Sequence, residues 1–359
     1  MATGRRLTTA RLATAIAAGL LLAACGGGGS GGGSSRTPPT GGTTYPAVGA
    51  APTDLPTEGP RAPVKGALVG VWVQPVDFTQ PGRVAAFEKF EKLVGRPLSV
   101  AHVFRKWEQP FGTESDRSLA TSDRVLMLSW SGADTRVIAS GAEDVLIRTK
   151  AKEIAAFGTP ILLRWRWEMD RPNLRASVWS GADYVAAWKH IRDIFRQENV
   201  TNAGWVWCPH ADGFSDSSRN AASFYPGDDQ VDWLCADVYA PDPSVSFADT
   251  AKPFLDWAAA HPKPIIIGEF GVQHGARTAW LSDAFAFIAS RPQIKAAVYF
   301  DGFGTGNGLD HRIDQAPASL AAFGDAVASP YFSPDVRCVL AGRRAGADGS
   351  APTSCGNAG

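Results

Sequence analysis

From Gly66 onward, short apolar, β-branched or aromatic runs alternate with longer stretches whose apolar positions recur every three or four residues. The short runs predict strands at Ala67–Gln74, Leu98–Phe104, Val125–Trp130, Pro160–Trp167, Gly204–Cys208, Trp233–Tyr239, Pro264–Phe270 and Lys295–Phe300. The longer stretches predict helices at Arg83–Leu93, Ala142–Phe157, Ala182–Gln197, Thr250–Ala260 and Trp280–Ser290. Eight strands with helices between them over about 270 residues predict an α/β fold, a (β/α)8 TIM barrel forming a single catalytic domain. A doubly wound sheet usually has fewer strands and a Gly-rich first turn, which this chain lacks.

The pattern changes outside that body. Residues 1–24 have a basic start (Arg5, Arg6, Arg11) and an apolar run, Leu12 to Ala24, shorter than the roughly 20 residues a membrane span needs. The run ends Leu22-Ala23-Ala24-Cys25, which resembles the lipobox of bacterial lipoproteins. That resemblance implies lipidation of Cys25, a membrane link through it, and an extracytoplasmic, lipid-anchored location. Residues 25–63 are rich in Gly, Ser, Thr and Pro and read as a disordered linker. The barrel is expected over 64–332 and a Gly/Ala-rich tail over 333–359.

With Cys25 set aside, Cys208, Cys235, Cys338 and Cys355 form an even set with three pairings open to it. The pairs nearest in sequence, Cys208–Cys235 and Cys338–Cys355, are the expected disulfides, the second stapling the tail. No Cys-x-x-Cys or close His pair points to zinc, and neither metal nor cofactor is expected. "GFGTGNG" (Gly302–Gly308) lacks the Lys-Ser/Thr ending of a phosphate loop and reads as a rim loop. Lys+Arg and Asp+Glu balance at 35 each, which gives no general attraction to nucleic acid, and a monomer is expected.

In a barrel of this kind, chemistry sits at the C-terminal strand ends. There the chain places Trp130, Glu168, Trp207 to His210, Asp237, Tyr239, Glu269 and Tyr299 to Asp301. Glu168 and Glu269 end the fourth and seventh strands. Glycoside cleavage needs one carboxyl to protonate the leaving oxygen and another to attack or stabilise the anomeric carbon. On an ideal strand Arg164, Arg166 and Glu168 share a face, so the arginines are expected to support the carboxylates. Trp167, Trp207 and Tyr299 are expected to meet substrate, since aromatic rings suit stacking on sugars. His102, Arg105 and His210 suit a substrate contact or a structural role equally.

"RWRWEMD", "NAGWVWCPH", "YPGDDQVDWLCADVY" and "PIIIGEFG" occur in the order and spacing of glycoside hydrolase family 26. From about Gly66 to Phe332 the chain resembles these β-mannanase-like retaining enzymes. The resemblance implies Glu168 as acid/base, Glu269 as nucleophile, and Tyr239 as hydrogen-bond donor to it with Asp237 nearby. It also implies Trp130 lining the sugar site and Trp179 stacking beyond it. The family usually shows Arg-Pro-x-His-Glu at strand four. Here Arg164 and Glu168 match, while Trp165 and Trp167 replace Pro and His. Trp167 removes an acceptor and adds a stacking face, so the substrate need not be mannan. The implied activity is a retaining endo-β-glycanase on a polysaccharide. A surface carbohydrate-binding lipoprotein without turnover, or a transglycosylase acting on the cell's own envelope polysaccharide, would keep the same cleft.

Overall fold

In the computed structural model, which describes residues 44–273, 277–303, 309–341 and 355, eight parallel strands close into a barrel in sequence order. They are β1 (Leu68–Val73), β2 (Val100–Arg105), β3 (Val125–Trp130), β4 (Ile161–Trp165), β5 (Ala203–Trp207), β6 (Trp233–Ala240), β7 (Ile265–Val272) and β8 (Ile294–Asp301). β1 pairs with β8 from Leu68↔Ala296 to Val73↔Asp301, which completes the ring.

Period-two alternation divides each strand between two cores. Leu68, Val100, Val125, Met127, Leu162, Val206, Trp233, Ile266, Ala296 and Val298 fill the interior, while the residues between them pack outward on the helices. The outward layer is rich in rings: Trp165 stacks on Tyr184 at 5.1 Å, and Trp205 meets Trp188 edge-on at 5.4 Å. Most of the tryptophans are spent there.

One irregularity positions the chemistry. Ala236 pairs with Ile267, but Asp237 pairs with Glu269, so β7 carries one extra residue, Gly268. Such a bulge turns two consecutive residues towards the same side. A Cβ on Gly268 would lie 2.8 Å from Arg164 Nη1 and Asp237 Oδ1, and closer still to Cys235 Sγ, which shows that this position is interior. Glu269 is interior too, while Phe270 returns to the helix side.

Residues 44–63, expected as linker, instead lie along the N-terminal face of the barrel. Val48, Thr53 and Gly59 donate backbone N–H groups to Ser290, Pro262 and Thr201 carbonyls, each just before a strand. Asp54 pairs with Lys263 at 2.5 Å, and the Tyr45 hydroxyl donates to Asp283 at 2.8 Å. At Gly59 (φ +63°) the chain runs so close to Gly204 that no Cβ would fit. Composition missed this because the segment is held by backbone and charge rather than by a hydrophobic face. In the tail, a short helix (Val336–Leu340) leads on from the barrel, and Cys338 is bonded to Cys355. Residues 1–43, with the expected leader and Cys25, lie outside the described residues, as do residues 304–308 of the Gly-rich loop.

Candidate active site

β4 delivers its arginine and its glutamate by different means. Arg164 lies on the inner face of the strand and is fully buried. The strand then ends at Trp165, and both Arg166 (φ +47°) and Glu168 (φ +51°) take left-handed backbone. Non-glycine residues adopt that region at a cost, and such residues cluster at functional sites. The turn is pinned where Glu168 N–H donates to the Cys208 carbonyl at 2.7 Å. The expected Arg164–Arg166–Glu168 face therefore does not form. Arg166 swings away to donate to the Gly132 carbonyl (3.0 Å) and the Ser177 hydroxyl. Arg171, which the strand pattern did not single out, donates instead to Glu168 Oε2 at 2.6 Å.

Arg164 is the hub of the interior. Its Nη1 donates to Asp237 Oδ1 at 2.7 Å and its Nη2 to Glu269 Oε1. Its Nε donates to Ser129 Oγ at 2.7 Å, which leaves the Ser129 proton for His102 Nε2 at 2.7 Å. Burial and the Arg164 charge hold the His102 ring well below its ordinary pKa, so it is neutral and can accept. Glu269 gains a second donor from β6, the Tyr239 hydroxyl at 2.6 Å from Oε2.

Burial pushes the Glu269 carboxyl up, Arg164 offsets part of that, Glu168 adds to it, and Tyr239 offsets again. Asp237 is driven well above the usual carboxylate range, first by burial, against the pull of Arg164. Burial works against the Arg164 charge, yet Asp237 and Glu269 raise its pKa above the ordinary value. The net direction for Glu269 is upward, and its two donors favour the charged form against that push. Glu168 and Glu269 retain 6% and 5% of their surface, so both reach solvent through the mouth.

His210, from the loop after β5, brings its Nε2 within 3.9 Å of Glu168 Oε1 and pairs through Nδ1 with Asp212 at 2.7 Å. Burial opposes its charge, but Asp212 and then Glu168 raise its pKa overall. The Cys208–Cys235 disulfide joins β5 to β6 beneath the hub, with Cys208 Sγ 3.4 Å from Asp237 Oδ1. Cys208, Cys235 and Asp237 bring metal-type atoms together, but both sulfurs are used in the bond, and Arg164 Nη1 lies 3.5 Å from Cys208 Sγ.

The aromatic wall differs from the sequence expectation. Trp130, Trp207 and Tyr299 are fully buried on the helix side. The Trp130 indole lies 4.2 Å from Trp107 in a parallel stack and donates to its carbonyl. Trp207 donates to the Phe224 carbonyl at 3.0 Å, and the Tyr299 hydroxyl to the His311 carbonyl at 2.6 Å. None of the three can meet a sugar in this fold. The reason is parity: Ser129, Val206, Cys208 and Val298 point inward, so their chain neighbours point outward.

The same parity supplies the replacements. Trp72 stacks on Phe300 at 4.6 Å and meets Phe104 at 5.3 Å, and Phe104 meets Trp167 at 5.0 Å. Trp167 is partly exposed, with the Arg164 guanidinium 5.3 Å from its ring centroid. Counting inward positions from Arg164 and its strand neighbours would have found Trp72, Phe104 and Phe300 in the sequence. Trp179 stands apart on the rim. It is 46% exposed, has φ +62°, and is fixed by a 2.8 Å hydrogen bond to Asp134 and by Arg136 over its ring.

A family model, glycosyl hydrolase family 26, matches residues 117–301. Endoglucanase H of Acetivibrio thermocellus is 29% identical over 289 residues, 75% of this chain and 31% of that protein. The β-1,3-xylanase TXYA of a Vibrio species is 28% identical over 162 residues, 43% of this chain and 32% of its own length. The chain thus spans about a third of the curated relatives it matches. Among solved structures, a modular endo-β-1,4-mannanase from Cellulomonas fimi superposes with a TM-score of 0.60 at 18% identity, covering 78% of this chain and 75% of that one. A β-mannanase from Bacteroides ovatus gives 0.58 at 18% identity, covering 74% and 90%. At that identity the likeness is one of fold.

Proposed function

Because the chain belongs to glycosyl hydrolase family 26, a family of O-glycosyl hydrolases, we propose that it is a retaining endo-β-glycanase with Glu168 as acid/base and Glu269 as nucleophile. One observation carries the reading. Two glutamates from opposite sides of one barrel mouth sit in unlike settings, Glu269 between Arg164 and Tyr239, and Glu168 between Arg171 and His210. That is the division of labour double displacement needs.

Glu168 gives its proton to the glycosidic oxygen while Glu269 attacks the anomeric carbon, forming a glycosyl ester. Glu168, now a carboxylate, takes a proton from water, which attacks the same carbon and releases Glu269. Arg164 positions the nucleophile, and the Ser129–His102 pair positions Arg164. Tyr239 and Arg164 each engage one Glu269 oxygen, which together fix the plane of the carboxylate for attack. The relatives act on glucan, xylan and mannan by their names, and the Trp167 indole gives this mouth a stacking face. These support a β-glycan substrate with a sugar preference of its own. The N-terminal motif supports lipidation at Cys25 and action outside the cytoplasm, close to the membrane.

The test is a screen of the protein on β-mannans, mixed-linkage glucans, xylans and bacterial envelope polysaccharides, with Glu168→Ala and Glu269→Ala beside the wild type. Loss of activity in both variants, with the β-anomer as first product by NMR, is the expected result. Activity that survives both substitutions, or an α-anomer as first product, refutes the assignment.

A further inference from the structure

A cavity of about 350 Å3 that the mechanism above does not use is lined by the residues that follow Glu168 in the chain, beginning with Met169 and Asp170. Its walls come from the turn after β4 (Met169, Asp170, Arg175, Trp179) and from the long β5–β6 connection (Ser218, Arg219). The charges on these walls are not balanced within the cavity. Asp170 is 2% exposed and fully engaged: Oδ1 accepts the His210 N–H at 3.1 Å, and Oδ2 accepts Arg219 Nε at 2.9 Å. Arg219 also reaches Asp212. The Asp170–Arg219 pair therefore presents neither a free anion nor a free cation.

Arg175 is different. Its guanidinium donates to the Ser218 carbonyl at 2.5 Å and forms no ion pair among the described residues. That contact holds the side chain across the cavity without neutralising it. Trp179 lies on the same wall, and three constraints hold it in place despite a left-handed backbone, namely Asp134, Arg136 and the turn itself. An exposed indole kept rigid at the cost of backbone strain is a ready stacking face for a sugar ring. A guanidinium with open donors is the natural partner of a carboxylate.

Resting on the glycosidase reading, we infer that this cavity binds an acidic sugar residue of the substrate, a uronosyl unit whose ring lies on Trp179 and whose carboxylate takes Arg175. The substrate class is thereby narrowed to β-glycans that carry carboxylated sugars. Arg175 and Trp179 determine that specificity. Asp170 is the one carboxylate among the lining residues, and its engagement with His210 and Arg219 leaves no free anion on these walls to repel the incoming charge.

The test measures binding separately from turnover. Glu269→Ala protein, whose cavity is intact, is titrated with glucuronic- and galacturonic-acid-bearing β-linked oligosaccharides and with the carboxyl-reduced counterpart of each, by NMR or calorimetry. At least one acidic member is expected to bind about tenfold tighter than its reduced form, as one charge-assisted contact implies. The same pair is expected to bind equally to the Glu269→Ala, Arg175→Gln double variant, and the advantage is expected to shrink as salt rises. If no acidic member exceeds its reduced counterpart, or if the advantage survives Arg175→Gln, the inference is overturned. Hydrolysis of neutral glycans by the wild type, lost in Glu168→Ala, would in either case uphold the glycosidase reading, so the two can fail separately.

Discussion

Replacing Gly268 by alanine adds one methyl group at a crowded point of the barrel interior. An ideal Cβ there falls 2.8 Å from both Arg164 Nη1 and Asp237 Oδ1, with Cys235 Sγ nearer still. Contacts below about 3 Å are well inside van der Waals range, so at least one neighbour must move. The sulfur is tied to Cys208, and Asp237 is held in the β6 ladder, which leaves the Arg164 guanidinium as the mobile partner. Forcing one methyl into a packed core costs about 1–3 kcal/mol. For a domain of this size that lowers Tm by roughly 2–4 °C per kcal/mol. Activity should suffer more than stability, because Arg164 positions the Glu269 carboxylate. A displacement of about 1 Å in a reacting group costs on the order of 10²-fold. The expected phenotype is a protein folded at 25 °C, with kcat on its best glycan down about 100-fold and KM little changed. Thermal unfolding with kinetics on the same sample checks it. A Gly268→Ala protein with wild-type kcat and Tm would refute the account of the bulge.

Trp207→Ala should destabilise by about 3–5 kcal/mol, because the ring is fully buried against Phe214, Tyr225 and Trp257. Its KM should hold while the protein is folded. Trp179→Ala should do the reverse, raising KM with a small change in Tm, since the indole is 46% exposed. Burial pushes the Asp301 carboxyl up to about 7, and Oδ1 accepts from Ile313 and Asp314 amides while Oδ2 has no partner among the described residues. A carboxyl with a raised folded pKa contributes stability that is full below its unfolded value near 3.8 and is lost as pH rises to about 7. Asp301→Asn keeps the Oδ1 acceptor, so its Tm should gain on the wild type between pH 4 and pH 7. An equal difference across that range counts against this reading. A chain begun at residue 64 should melt below one begun at residue 44. It loses the Val48, Thr53 and Gly59 backbone bonds and the Lys263–Asp54 pair, together about 2–5 kcal/mol.

The barrel was legible because each strand has a β-branched or aromatic run of the right length, and the observed strand bounds differ from the expected ones by two residues at most. Glu168 and Glu269 were legible as carboxylates ending apolar runs. Trp130, Trp207 and Tyr299 stand near strand ends, as mouth residues do, but nearness to the end does not say which face of the strand a side chain occupies. Trp72, Phe104 and Phe300 follow once Arg164 fixes the parity. The bulge at Gly268 was beyond reach, since an extra residue in one strand shows only against the register of its neighbours. Arg171 was beyond reach for a related reason: the left-handed turn that brings it to Glu168 interrupts the alternation on which the reading depended.

The segment laid across the N-terminal face also gives the molecule a direction. The chain enters at Tyr45, passes under the starts of β5, β7 and β8, and only then turns into β1. The two glutamates open at the opposite end. A pull on the chain from upstream of Tyr45 is thus borne by the closed end of the barrel, through the bonds to Ser290, Pro262 and Thr201, and not by any loop of the mouth. A molecule held by that end presents its cleft outward, away from whatever holds it, with the rim around Trp179 left free to meet a long polymer.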